Sequence, residues 1–137
     1  FLNGNFVIRL GMWRLSYLAI IVFATNPLLY VFLFWNTANP PLAILLVFMA
    51  IQFFTIGFIF GNIRAIAMEP IGHIAGIGAA ITGFVATLMA VPIANFIGGF
   101  VDTTALPLFI GFSAFGILSL LIFIRMRVIH ARTLIRD

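Results

Sequence analysis

Four apolar runs, residues 15–35, 42–63, 74–100 and 105–126, take up most of this chain of 137 residues, and hardly a charge interrupts them. Each run exceeds about 20 residues, enough to cross a hydrocarbon layer of ~30 Å as a helix. Lipid offers no hydrogen bonds, so each segment has to satisfy its own backbone donors and acceptors. A helix does this where an open strand cannot. Composition demands the same solvent. Apolar residues make up 64% of the chain and charged residues 7%, against about 25% charged in a typical soluble domain. A domain this small buries too little of its surface to hide that much apolar area from water. The expected fold is an all-α membrane protein with four transmembrane helices.

Charge placement fixes an orientation. Two of the breaks, "NTANPP" (36–41) and "GGFVDTTALP" (98–107), are turns without a basic residue. With four spans, residues 1–14, 64–73 and 127–137 share the opposite side as loop, loop and tail. Arg9, Arg14, Arg64, Arg125, Arg127, Arg132 and Arg136 then all lie on that side. Arginine-bearing segments stay cytoplasmic, so both ends are expected there. Three or five spans would split the set. The arginines are scattered between hydrophobic runs, which argues against nucleic acid as a partner. The absence of cysteine excludes disulfides and thiolate chemistry. The opening "FLNGNFVIRLGMWRL" mixes its arginines into an apolar run and has no small-residue cleavage site. It reads as the edge of a longer chain, not as a signal peptide.

Small residues say where helices are expected to touch, because lipid gives them no hydrophobic reason to associate. In the third run Gly72, Gly76, Ala80, Gly83, Thr87, Ala90, Ala94 and Gly98 recur every three or four residues and form one stripe. The second run has a Gly57–Gly61 pair on one side and Gln52, Thr55 and Asn62 on another. An intramembrane amide such as Gln52 either bonds a neighbouring helix or lines a cavity. Asn95 and Pro92 in the third run pose the same choice. The first run is bulky and broken at Pro27, which removes a hydrogen bond and should kink its helix. With the equally bulky fourth run it is expected outside, and the second and third runs inside.

Glu69 and His73 stand four apart, a spacing that on a helix could hold a metal or move a proton. Pro70 fits the first turn of a helix, and a carboxylate there is favoured by the dipole. The pair is therefore read as a helix boundary at the cytoplasmic interface, with Glu69 able to pair with a nearby arginine. A metal site would need further ligands, and His130 lies away in the tail. Asp102 is read as a solvated turn residue. No acid or arginine sits mid-span and no nucleophile set is present, so an enzyme is not expected and no cofactor or metal is called for.

The segment "GFIFGNIRAIAMEPIGHIAGIGAAITGF" (57–84) resembles the tenth-helix, loop and eleventh-helix region of the bicyclomycin-resistance/chloramphenicol-efflux (Bcr/CflA) drug exporters of the major facilitator superfamily. The matching elements are Gly61-Asn62, Ala65, Ala67, Glu69-Pro70, Gly72, Ala75-Gly76, Ala79 and Gly83. "GFVDTTALPL" (99–108) resembles the turn before that family's last helix. "LNGNFVIRLGMWRL" (2–15), centred on Arg9, Gly11 and Arg14, resembles its loop before the ninth helix. The resemblance implies helices nine to twelve, a partial carboxyl-terminal half-bundle of the major-facilitator type. It also implies a bacterial inner-membrane location and proton-driven export of drugs or small amphipathic metabolites. The partners implied are the lipid bilayer, the substrate and the missing amino-terminal helices of the same chain. Gln52, Thr55 and Asn62 would face the cavity and the small-residue stripe would be the sliding surface. Arg64 departs from the family's pattern, where a small or polar residue is expected. The alternative is a self-contained four-span structural or interaction protein, or a transporter subunit.

Overall fold

Helix α2 (Met12–Phe34) is the centre of the structure, a computed structural model that describes residues 2–36 and 39–133. Thr37 and Ala38 of the first turn and Arg136 of the tail lie outside those residues, as do the side chains of His130 and Arg132. The remaining helices are α1 (Leu2–Leu10), α3 (Leu42–Met68), α4 (Ala75–Gly98) and α5 (Leu106–Thr133), with a 3-10 turn over Glu69–Ile74. Most of the described residues are helical and none is in a strand, and three stretches are long and apolar enough to cross a membrane: Met12–Phe34, Leu42–Gly98 and Leu106–Ile129. The middle stretch has 57 residues and would be about 85 Å long if straight, far more than one membrane thickness. It is not straight. Ile71 (φ −117°, ψ 32°) leaves helical geometry inside the 3-10 turn, and a methyl built on Gly83 would sit 3.0 Å from an Arg64 guanidinium nitrogen. Arg64 of α3 thus reaches the first half of α4 across the bend.

Local chemistry explains the boundaries. Residues 2–10, expected as loop, form α1, which stops at Gly11. There φ is +77°, a left-handed value that glycine adopts without a Cβ clash. Residues 64–68, also expected as loop, continue α3, and α5 runs on past Met126 to Thr133. Pro70 opens the 3-10 turn rather than α4, which starts at Ala75. The two turns at the other end are tied together. Asn39 donates to the Thr103 carbonyl (2.8 Å), and its Oδ1 accepts from the Ala105 N–H (2.9 Å).

Packing inverts the expected order of inner and outer helices. The bulky first run supplies most of the core: Leu15, Ser16, Ala19, Ile20, Ala24, Asn26, Pro27 and Tyr30 are buried on α2. Tyr30 stacks on Phe109 of α5 at 3.7 Å between centroids, and Phe48 of α3 meets the Tyr30 ring edge-on at 5.3 Å. Near the opposite end Trp13 and Tyr17 pack on Phe123, and Arg127 lies 5.5 Å over the Tyr17 ring. The tightest helix crossing is between α2 and α5. A methyl built on Gly116 would lie 2.8 Å from the Ala24 Cα and 3.2 Å from its Cβ.

Helix α4 was expected to be buried along nearly its whole length, and instead it has no buried residue. Ala80, Thr87, Ala90, Ala94 and Gly98 are exposed, and Gly72, Gly76 and Gly98 have open space where a side chain would go. Gly57 and Gly61 on α3 are exposed too. The reason is geometric. Among the described residues the close approaches seen at glycines are few: Arg64 and Met68 reach Gly83 and Gly78 in the first half of α4, and Ile97 near its other end reaches Gly111 of α5. A small-residue stripe permits a close approach but cannot supply the neighbour.

Candidate functional site

The polar residues inside the helices converge at Pro27. Proline has no N–H, so the carbonyl four residues earlier, that of Phe23, loses its usual helical donor. Gln52 of α3 replaces it, donating through Nε2 to the Phe23 oxygen at 3.2 Å. Its Oε1 accepts from Asn26 Nδ2 at 2.9 Å, and the same nitrogen donates to the Phe48 carbonyl at 3.0 Å. Each amide thus reaches the backbone of the other helix, and the two amides bond each other. Gln52 is 0% exposed and Asn26 8%. Among the described residues no buried side-chain nitrogen or oxygen lacks a partner.

This geometry answers the choice posed by Gln52. Its side chain clamps α3 to α2 and does not line a cavity. Thr55, one turn along, donates to the Gln52 carbonyl (2.8 Å) and the Ile51 carbonyl (3.1 Å). Unlike Gln52, it borders an apolar groove of about 630 Å³ whose walls include Phe6, Val22, Ile51, Phe54 and Phe58. The groove continues past Val22 and Ile51 into a second hollow of about 580 Å³ bordered by Thr25, Asn26 and Phe32. Phe6 of α1 closes on Phe58 of α3 at 6.2 Å, so the short first helix roofs one end of the groove. Asn62 is buried on α3, 2% exposed.

The charged candidates are not gathered into a site. Arg9, Arg14, Glu69, Pro70 and His73 are exposed. Arg64 places its guanidinium 4.3 Å over the Phe60 ring, an attraction between a cation and the negative ring face, instead of pairing with Glu69. Among the described residues no group of three or more His, Cys, Asp or Glu side chains could hold a metal ion. Two residues escaped the reading of the sequence. Asn26 was visible as an amide beside an intrahelical proline, the place where a freed carbonyl needs a donor. Gly116 was visible only as one small residue among bulky ones.

Fold and site together define a class: an all-helical membrane protein whose central helices are joined by a buried amide pair. Comparison of the chain with protein-family models, with curated proteins and with solved structures gives no match.

Proposed function

We propose that this chain forms the carboxyl-terminal membrane helices of a proton-coupled secondary transporter that exports drugs or small amphipathic metabolites by alternating access. In this reading α2, α3, α4 and α5 each cross a bacterial inner membrane, as a partial half-bundle of the major-facilitator type, with the arginine-bearing ends in the cytoplasm. The observation that carries it is the groove along α2 and α3. Its volume of about 630 Å³ falls among small-molecule sites of ~300–1,000 Å³. Its walls are apolar apart from the Thr55 hydroxyl, which suits the apolar part of an amphipathic ligand. The four-span arrangement is supported by Asn39, which ties the two basic-free turns together, and by Arg64 lying beside Gly83.

Transport is tested in energised inverted membrane vesicles carrying the full-length protein. A fluorescent amphipathic cation is expected to accumulate, and a protonophore to abolish the accumulation. Ala50 lines the groove, so Ala50→Trp should fill it and lower accumulation about fivefold or more at unchanged protein level. Equal accumulation by wild type and variant would remove the groove from substrate binding. These 137 residues contain no cysteine, so single cysteines placed here, with any others in the full-length protein replaced, read the topology. Single cysteines at Asn36 and Asp102 should react with an impermeant reagent on intact cells, and those at Arg9 and His73 only after permeabilisation. Opposite behaviour of the first two would end the four-span arrangement.

One observation favours a second reading, a membrane-bound structural or interaction subunit: α4 has no buried residue. For such a protein Ala50→Trp should leave assembly intact and no dye should accumulate in any variant.

A further inference from the structure

We infer that a hollow between α2, α3 and α5 holds one acyl chain of an anionic phospholipid, whose phosphate is bound by Arg64 and Arg127. The hollow measures about 340 Å³ and takes its walls from all three helices: Phe23 of α2, Ile56 and Phe60 of α3, and Ser119, Phe123 and Met126 of α5. These walls are apolar apart from the Ser119 hydroxyl. The bond from Asn39 to Ala105 starts α3 and α5 at the same end of the bundle. From there Ile63 on α3 and Met126 on α5 are both about 30 Å along their helices, and both border the hollow. They mark its far end. The next residue on each helix is an arginine, Arg64 and Arg127.

Both arginines rest on the aromatic rings of this end. The Arg64 guanidinium lies 4.3 Å over Phe60, itself a wall of the hollow. Arg127 lies 5.5 Å over the Tyr17 ring, which stacks on Phe123, another wall. A ring face attracts a cation but does not neutralise it. Among the described residues this end offers one acid, Glu69, which is exposed, and Asp102 belongs to the turns at the opposite end. A guanidinium resting on a ring keeps N–H donors for an anion, and it can pair a phosphate with two of them at once. The order is positive charge first and apolar hollow below it. An anionic phospholipid has the complementary order, and basic pockets between transmembrane helices take such headgroups. The hollow is separate from the groove already described, because Phe60 walls one and Phe58 the other, about 200° apart around α3. The inference therefore stands for a transporter and for a membrane-bound subunit alike.

The test uses the full-length protein, stripped of lipid in a neutral detergent and then given phosphatidylglycerol or phosphatidylcholine with the same acyl chains. Native mass spectrometry reads the first lipid bound. Phosphatidylglycerol should bind about tenfold more tightly than phosphatidylcholine. Arg64→Gln and Arg127→Gln should each weaken its binding about fivefold, the usual effect of one arginine beside an anionic headgroup. Arg9→Gln removes an exposed arginine of α1 that is not on the hollow, and should change binding by less than about twofold. Ser119→Trp keeps both arginines and fills the hollow from an exposed position, and should weaken binding about tenfold. Equal binding of the two lipids would overturn the inference. So would a loss at Arg9 equal to those at Arg64 and Arg127, the mark of surface charge without a site. Binding unchanged by Ser119→Trp would overturn it as well, since a helix of the full-length chain or a second copy would then fill the hollow.

Discussion

Gly116→Leu is expected to separate α5 from α2 and to cost about 3 kcal/mol of stability, the upper part of the range for overpacking a filled core. The first added carbon already meets the Ala24 backbone at 2.8 Å. Backbone cannot rotate aside as a flexible side chain can, so the whole helix has to move. Moving it also strips the stack of Tyr30 on Phe109, which belongs to the same interface. Reversible unfolding in mixed micelles reads the effect, and Gly57→Leu is the control because a Cβ added there meets nothing within 4 Å. If both variants unfold alike, the α2–α5 crossing is not the tight contact described above.

Gln52→Leu is expected to cost about 1–2 kcal/mol, for two hydrogen bonds lost inside the membrane. The estimate stays modest because helices separated within a bilayer also find partners for their polar groups, which lowers the penalty per bond. A sharper result comes from the pair of changes. Pro27→Ala gives the Phe23 carbonyl a donor from its own helix, after which Gln52 is needed mainly by Asn26. In that background the cost of Gln52→Leu should fall by about half. Equal costs in both backgrounds would mean that Gln52 does not serve the carbonyl freed by the proline.

The membrane class was legible because length and apolarity of a run are properties of one segment alone. The breaks near residues 36–41 and 99–105 were legible for the same reason. Which helix lies inside was not. Gly72 to Gly98 records that α4 can accept a close neighbour, whereas burial depends on whether that neighbour is among these residues. In the opposite direction, α2 reads as a lipid-facing helix because its Leu, Ile and Phe side chains suit lipid and protein equally well. Its true signal was the pairing of Asn26 with Pro27, one residue needing partners and the other creating an acceptor. Gln52 stood out as an intramembrane amide, but its partner lies 26 residues away in sequence and no periodicity points to it. The resemblance to drug exporters rests chiefly on residues 57–84, which include the 3-10 turn and the first part of α4, a helix without a buried residue.

The tie between Asn39, Thr103 and Ala105 has a mechanical consequence. It joins the two turns at one end of the bundle, while Arg64 and Met68 approach α4 near the other. Helix α4 is therefore a beam braced at Gly78 and Gly83 in its first half and again just beyond Gly98, with no buried residue between. A beam held in that way resists swinging outward as a rigid arm. A sideways load on its middle makes it bow, and the compliant point is Pro92, where the helical ladder has one rung fewer.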